Sequence, residues 1–187
     1  QIANYINNGS FEKTTNNCNP PNYASIAKFW GNIDSMEFAG SYCSICPNIG
    51  NVPLNGNTFQ YPKSGDSYVL STIYCLLPDC GRGYLRNRLK QNLQSGKTYC
   101  VKFYVNITNN SPRGMDGFGI YFGNNTMDTI TKCTIPLSYI NPQVKNPLGN
   151  VISDTMNWVP ITGTFTADGT EKYALIGNFL ADNAVTT

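Results

Sequence analysis

The chain has 187 residues, enough for one domain with a sizeable core, and no break in composition divides it. Charged residues make up 13% of the chain and the formal net charge is +2, whereas charged residues are about 25% of average soluble proteins. This weak field argues against nucleic acid and against an anionic membrane as partners. We predict a single domain, residues 1–187, with a polar but weakly charged surface.

The chain contains no histidine. Its absence excludes Ser-His-Asp and Cys-His nucleophile systems and the ordinary metallohydrolase ligand sets. A carboxylate pair of the glycosidase type stays formally open, although nothing in the sequence sets two carboxylates at the separation that such chemistry requires. No phosphate loop or dinucleotide fingerprint is present. We therefore predict that the protein is not an enzyme.

Short strand-like runs recur along the chain, bounded by clusters of Gly, Pro and Asn. The predicted strands are, in chain order, 4–12, 27–30, 67–74, 83–89, 97–106, 117–123, 158–167 and 171–179. Pro and Gly deny ladder donors and regular φ values to other segments, so the predicted loops are 16–22, 45–57 and 140–150. This spacing of short strands is typical of an all-β domain.

The strand predicted at 97–106 has the clearest pattern, because apolar and more polar residues alternate along it. The two sets are Tyr99, Val101, Phe103 and Val105 on one side, and Thr98, Cys100, Lys102 and Tyr104 on the other. One side must lie on a core while the other meets water or a partner. We predict an all-β, jelly-roll β-sandwich of two antiparallel sheets, with function confined to an outer face and the loops.

Seven cysteines indicate an oxidising compartment and therefore export, with up to three disulfides and one thiol left over. Spacing does not determine connectivity. The pairs that we expect are Cys75 with Cys80, Cys100 with Cys133, and Cys18 with Cys43 or Cys46. The C-x-x-C spacing of Cys43 and Cys46 also suits zinc or redox chemistry, but zinc needs two further ligands and no second such pair exists.

No apolar run approaches the ~20 residues that a membrane-spanning helix needs. If Gln1 is a mature N-terminus, an export signal has already been removed, which agrees with the argument from the cysteines. We expect a secreted or cell-surface protein.

A local basic cluster occupies 82–90. If this run is a strand, one face carries Tyr84 together with Arg82, Arg86, Arg88 and Lys90. Arginines beside an aromatic ring suit an anionic glycan. A solvated sheet face is the commoner meaning of such a pattern and stays open.

Sugar binding uses exposed aromatic rings, which stack on pyranose faces, beside amides and carboxylates that bind hydroxyls. The available tyrosines are Tyr42, Tyr61, Tyr68, Tyr84 and Tyr104. Among them, Tyr104 is the better exposed candidate because it is out of phase with the core side of its strand. Trp30 and Trp158 lie in apolar strand patterns, and we predict them in the core. The predicted ligand-binding residues are Tyr84, Arg86, Arg88 and Tyr104.

Several sequence blocks stand together in a distinctive order. They include Asn8-Gly9-Ser10-Phe11-Glu12, Ala27-Lys28-Phe29-Trp30, Phe118-Gly119-Ile120-Tyr121-Phe122, Gly163-Thr164-Phe165-Thr166-Ala167 and Ile176-Gly177-Asn178-Phe179. Over nearly the whole chain, this combination resembles the galactose-binding-like, carbohydrate-binding-module-type jelly rolls of secreted and cell-surface proteins of Bacteroidota. The resemblance implies a non-catalytic module of the kind that accompanies adhesins, gliding-associated proteins, peptidoglycan-associated outer-membrane proteins and secreted hydrolases.

One departure from this family concerns the C-terminal end. Members continue past a block like Gly177-Asn178-Phe179 with a closing strand that carries an Asp-Asp-Val-like motif, whereas this sequence stops at Thr187. Either the segment was cut, or it is unseen, or another chain supplies it. A sheet that lacks this strand would expose an edge that could accept a strand from a neighbouring chain.

The resemblance also implies a structural calcium ion, held in part by Glu12 and by backbone carbonyls of Asn8 to Ser10. The aspartate of the closing strand has no counterpart here, so a loop-bracing role for Glu12 stays open. Three Asp-Ser/Thr-apolar triplets are similar to the O-glycosylation signal of Bacteroidota, although such short patterns arise often by chance. Their acceptor residues would be Ser35, Thr129 and Thr155.

Two functions follow from these observations. The first is a secreted, non-catalytic module that binds glycan or cell-surface polysaccharide in adhesion. The alternative is a structural subunit or stalk domain of an extracellular assembly, in which neighbouring copies or other domains are joined by edge-strand pairing.

Overall fold

The computed structural model describes residues 3–14, 27–32, 39–43, 52–54, 59–74, 82–128 and 136–187, to which every statement below refers. The strands are β1 Trp30–Asn32, β2 Ala39–Cys43, β3 Ser67–Ser71, β4 Leu85–Arg88, β5 Thr98–Val105, β6 Phe118–Gly123, β7 Val144–Lys145, β8 Val159–Thr166 and β9 Tyr173–Asn178. Short 3-10 helices occupy Asn125–Asp128 and Asp182–Ala184. None of the described helices has the length and apolar character needed to cross a membrane.

All strand pairs are antiparallel, and the all-β prediction is confirmed. Five strands form the main sheet, in the order β1-β4-β9-β6-β7. The pairs β2-β3 and β5-β8 form two further sheets, and the second of these is called the β5–β8 ribbon below.

The alternation predicted for β5 is confirmed as far as Lys102, whereas Tyr104, predicted on the exposed side, is half-buried. Thr98, Cys100 and Lys102 are exposed, while the residues between them are half-buried. The apolar side of the β5–β8 ribbon packs on the main sheet, where the rings of Phe122 and Phe165 stack with their centroids 4.8 Å apart. Two layers of antiparallel sheet therefore enclose the principal core.

The opposite face of the main sheet is also covered. Leu137 and Ile140, from the segment that precedes β7, pack there against Leu175 of β9. Burial on both faces explains why β6 and β9 are almost continuously apolar rather than alternating.

Some of the predicted strands differ from the structure. Segment 4–12 forms turns, in which Asn8 and Phe11 have positive φ, rather than a strand. Two strands were not predicted: β2, and β7 inside the predicted loop 140–150. The last strand, β9, lies between β4 and β6, so both of its edges are paired.

Candidate functional site

Tyr84, predicted as an exposed ligand-binding ring, is fully buried. Its hydroxyl donates a hydrogen bond to the carbonyl oxygen of Asn178 (2.7 Å) and accepts one from the Leu137 amide (3.0 Å). The structure differs from the prediction because the chain before β7 covers this face of β4. Tyr84 therefore joins the covering segment to the sheet.

The basic cluster around Tyr84 is divided by the fold. Arg82 is buried, where it donates to the carbonyl of Leu180 (2.7 Å) and pairs with Asp182. Arg86 donates to the carbonyl of Met127 (3.0 Å), while Arg88 is exposed. Nζ of Lys90 likewise donates to the carbonyl of Asn4 (2.8 Å). The predicted face of four free cations is therefore not formed, because three of them donate to backbone carbonyls of the protein itself.

The residues predicted to hold calcium make other contacts. One carboxylate oxygen of Glu12 accepts hydrogen bonds from the amides of Asp66 and Ser67, both at 3.1 Å. The carbonyl of Asn8 accepts from the Phe11 amide (3.0 Å) and from Nε1 of Trp30 (2.9 Å). Ser10 is exposed. No group of three or more His, Cys, Asp or Glu in the described part of the chain could hold a metal ion, and calcium stays a prediction.

Most of the predicted disulfide and glycosylation positions lie outside the described residues: Cys18, Cys46, Cys75, Cys80, Cys133, Ser35 and Thr129. Of Cys43 only the backbone is described. Cys100 is exposed on the solvent side of β5 and its thiol is free in the structure, while its predicted partner, Cys133, lies outside the described residues, so their pairing stays a prediction. Thr155 lies in a turn at residues 154–157.

Large exposed side chains concentrate near one end of the β5–β8 ribbon. We call this group the aromatic patch, and its members are the exposed Leu54, Phe59, Tyr61 and Met156 together with Tyr104, which is half-buried. Phe59 is 52% and Tyr61 63% exposed. Their rings meet edge to face, with centroids 5.7 Å apart.

The backbone beneath these rings is anchored to two other segments. Nε1 of Trp158 donates to the carbonyl of Tyr61 (2.8 Å), and the Phe59 amide donates to Oδ1 of Asn109 (2.8 Å). The buried side chain of Gln60 donates to the carbonyls of Tyr61 (3.1 Å) and Met156 (3.3 Å). The rings are therefore exposed although the chain that carries them is held in place.

Trp158 is half-buried, not fully in the core as predicted, whereas Trp30 is buried as predicted. The ring of Trp158 packs edge to face on Tyr68, with centroids 5.8 Å apart. The indole thus anchors the 59–61 segment while its ring contacts β3.

Lysines surround Tyr104, the one predicted ligand-binding residue that belongs to the patch. Nζ of Lys63 and Nζ of Lys102 each lie 5.1 Å from the centroid of its ring. The pKa of the Tyr104 phenol is lowered, mainly by a hydrogen bond from Lys102 and further by the positive charges of both lysines. This end of the patch is electropositive.

A polar turn borders the other end of the patch. Oδ1 of Asp154 accepts hydrogen bonds from the amides of Met156 (2.8 Å) and Asn157 (2.7 Å). These hydrogen bonds hold the pKa of Asp154 below its ordinary value, and the bond from the Asn157 amide has the largest effect. Because the carboxylate ties the turn together, Met156 is directed outward and is 79% exposed.

Comparisons with models of protein families, with curated proteins and with solved structures found no match.

The sequence indicated only part of this patch. Tyr104 follows from the alternation of β5, and Tyr61 was one of several available tyrosines. Phe59, Lys63 and Met156 were missed, because they meet Tyr104 only through contacts between distant segments. The one local signal was the short run Phe59-Gln60-Tyr61, in which aromatic rings flank a polar residue.

A shallow cleft of about 130 Å³ lies at the other side of the main sheet, lined in part by Ile140, Lys145 and Phe179. Lys145 donates to Oδ1 of Asn141 (2.9 Å) at its rim. The cleft has no exposed aromatic pair comparable to Phe59 and Tyr61, so the aromatic patch is the better candidate site.

Proposed function

We propose that this chain is a secreted or cell-surface, non-catalytic module of the galactose-binding-like jelly-roll type, and that it binds glycan through the aromatic patch. The observation that carries the proposal is the exposure of Phe59 and Tyr61 on a backbone held by Trp158, Gln60 and Asn109. Large apolar side chains grouped on a surface mark interaction sites.

The chemistry of the patch suits sugar rings. A pyranose presents apolar C–H faces rimmed by hydroxyls, and aromatic rings bury those faces while nearby polar groups bind the rim. Tyr61 and Tyr104 supply hydroxyls of their own, and the 154–157 turn supplies further polar groups at the border. Because the anchored backbone is already ordered, binding would not have to order it.

Other features support the proposed export and the proposed fold rather than the ligand. Seven cysteines in one chain suit an oxidising environment. The packing of the β5–β8 ribbon on the main sheet is compatible with a jelly-roll sandwich. Export and the jelly-roll topology belong to the proposal.

A glycan array followed by titration of the best ligand tests the proposal. Replacing Tyr61 or Phe59 by Ala should weaken binding at least tenfold, because central aromatic contacts carry most of the energy of such sites. Tyr139→Ala is the matched control, since Tyr139 is 73% exposed but lies near the shallow cleft. Equal affinity of all three variants and the wild type, or binding to no glycan, would contradict the proposal.

The second candidate is a structural subunit of an extracellular assembly. Within the described residues, β5 pairs only with β8, although each has eight residues, so each leaves one long side without a partner strand. Such edges can receive a strand from another chain. Light scattering across a range of concentrations tests this candidate: ordered multimers support it, and a monomer at every concentration contradicts it.

A further inference from the structure

Two ammonium groups converge on one ring of the aromatic patch from different parts of the chain. Lys102 belongs to β5, whereas Lys63 lies in the segment that follows Tyr61, and the Nζ of each is 5.1 Å from the centroid of the Tyr104 ring. Both lysines are exposed, so the surface beside Tyr104 carries two positive charges that an anion could approach.

Among the described residues, no carboxylate lies within ion-pair distance of Lys63 or Lys102. The single ion pair within that part of the chain joins Arg82 to Asp182, which belong to the main-sheet side. Asp154, at the border of the patch, directs its oxygens to the amides and the side chain of its own turn. Lys63 and Lys102 are therefore available to an anion from outside the protein.

The lysines and the exposed rings lie within the reach of one ligand. Tyr104 is paired with Pro160, and Trp158, two residues earlier, holds the carbonyl of Tyr61. Two residues of extended strand correspond to about 7 Å. Lys63 is itself only two residues from Tyr61, so its Cα lies within about 7.6 Å of the Cα of Tyr61.

We infer that the aromatic patch binds an anionic polysaccharide, whose apolar sugar faces lie on Phe59 and Tyr61 while its carboxylate or sulfate groups pair with Lys63 and Lys102. This inference rests on the proposed function and specifies its ligand class. It also places the anionic contact away from the basic cluster at 82–90, where Arg82 and Arg86 bind backbone carbonyls instead.

The test uses the whole chain and three polymers in affinity electrophoresis. Polygalacturonate carries carboxylates, dextran sulfate carries sulfates, and dextran is neutral. Dissociation constants are measured for the wild type, for the double variant Lys63→Gln/Lys102→Gln and for the control Lys97→Gln/Lys145→Gln. The control removes the same charge from exposed sites, just before β5 and on β7. Thermal unfolding confirms that each variant is folded.

We expect the wild type to bind at least one anionic polymer more tightly than dextran, and the double variant to lose roughly tenfold in that affinity. The control should stay within about twofold of the wild type, because exposed charges elsewhere contribute little. Which of the two anionic polymers binds distinguishes a carboxylate ligand from a sulfate ligand.

The possible failures are distinguishable. If the double variant matches its control while Tyr61→Ala loses binding, the anionic inference is overturned and the proposed function stands. Preference for dextran, or equal losses in the double variant and the control, also overturns the inference. Binding to neither these polymers nor any glycan of an array overturns both.

Discussion

The indole of Trp158 and the carbonyl of Tyr61, 97 positions apart in the chain, are joined by a hydrogen bond of 2.8 Å. This contact ties the exposed segment 59–61 to the start of β8. Because the opposite strand, β5, carries Tyr104 in register with Pro160, the same contact sets the distance between the two tyrosines of the aromatic patch.

Replacing Trp158 by Phe should therefore weaken glycan binding, because the 59–61 segment loses the hydrogen bond that positions it. The substitution does not remove a side chain proposed to contact the glycan. The variant loses one hydrogen bond, which lowers the free energy of unfolding by about 1 kcal/mol. Amide exchange at Tyr61 should become faster and glycan affinity should fall. Trp30→Phe is the matched control, because Nε1 of Trp30 also donates to a carbonyl, that of Asn8 (2.9 Å), away from the patch. If both variants change glycan affinity equally, the anchoring role is wrong.

Side-chain alternation along the sequence predicts part of this structure and misses the rest. Alternation along β5 predicts the exposed side of Thr98, Cys100 and Lys102 correctly, since that side depends only on the pleat of one strand. Tyr104, on the same side, is however half-buried beside Lys63 and Lys102. Alternation fails for Tyr84, because a segment more than 50 residues later covers its face of the sheet. It fails also for the patch, whose members meet through hydrogen bonds between segments that are distant in sequence.

Glu12 supplies the second prediction, which separates its two possible roles. If it braces the loop through the amides of Asp66 and Ser67, Glu12→Ala should lower the free energy of unfolding by about 1–3 kcal/mol, because two amides lose their acceptor. Glu12→Gln keeps an acceptor oxygen and should lose less. Adding calcium distinguishes the two roles. A melting temperature that rises with calcium in the wild type, but not in Glu12→Gln, would support a metal site instead.

Cys100 supplies the third prediction. Its exposed thiol on the outer side of β5 should react with iodoacetamide in the native, unreduced protein. Cys100→Ser should change the free energy of unfolding by less than about 0.5 kcal/mol, as is usual for exposed substitutions. Peptide mapping without reduction provides the check, since a peptide linked through Cys100 and Cys133 would restore the disulfide predicted from the sequence.

The 154–157 turn should lose order in acid. Hydrogen bonds from the amides of Asn157 and Met156 lower the pKa of Asp154 from its ordinary value of 3.8. The group therefore stabilises the folded turn above that value, and the contribution disappears as pH falls through the lower folded pKa. Amide exchange of Met156 and Asn157, followed from pH 6 to pH 2 and corrected for intrinsic rates, should show less protection in acid.

In Asp154→Asn, whose side chain cannot titrate, the same amides should keep a protection that does not depend on pH. Asp168, whose pKa is also lowered but by Thr170, titrates in another turn and serves as the internal comparison. If Asp154→Asn keeps the acid dependence of the wild type, the titrating group is not Asp154, and the order of the turn beside Met156 must depend on some other carboxylate.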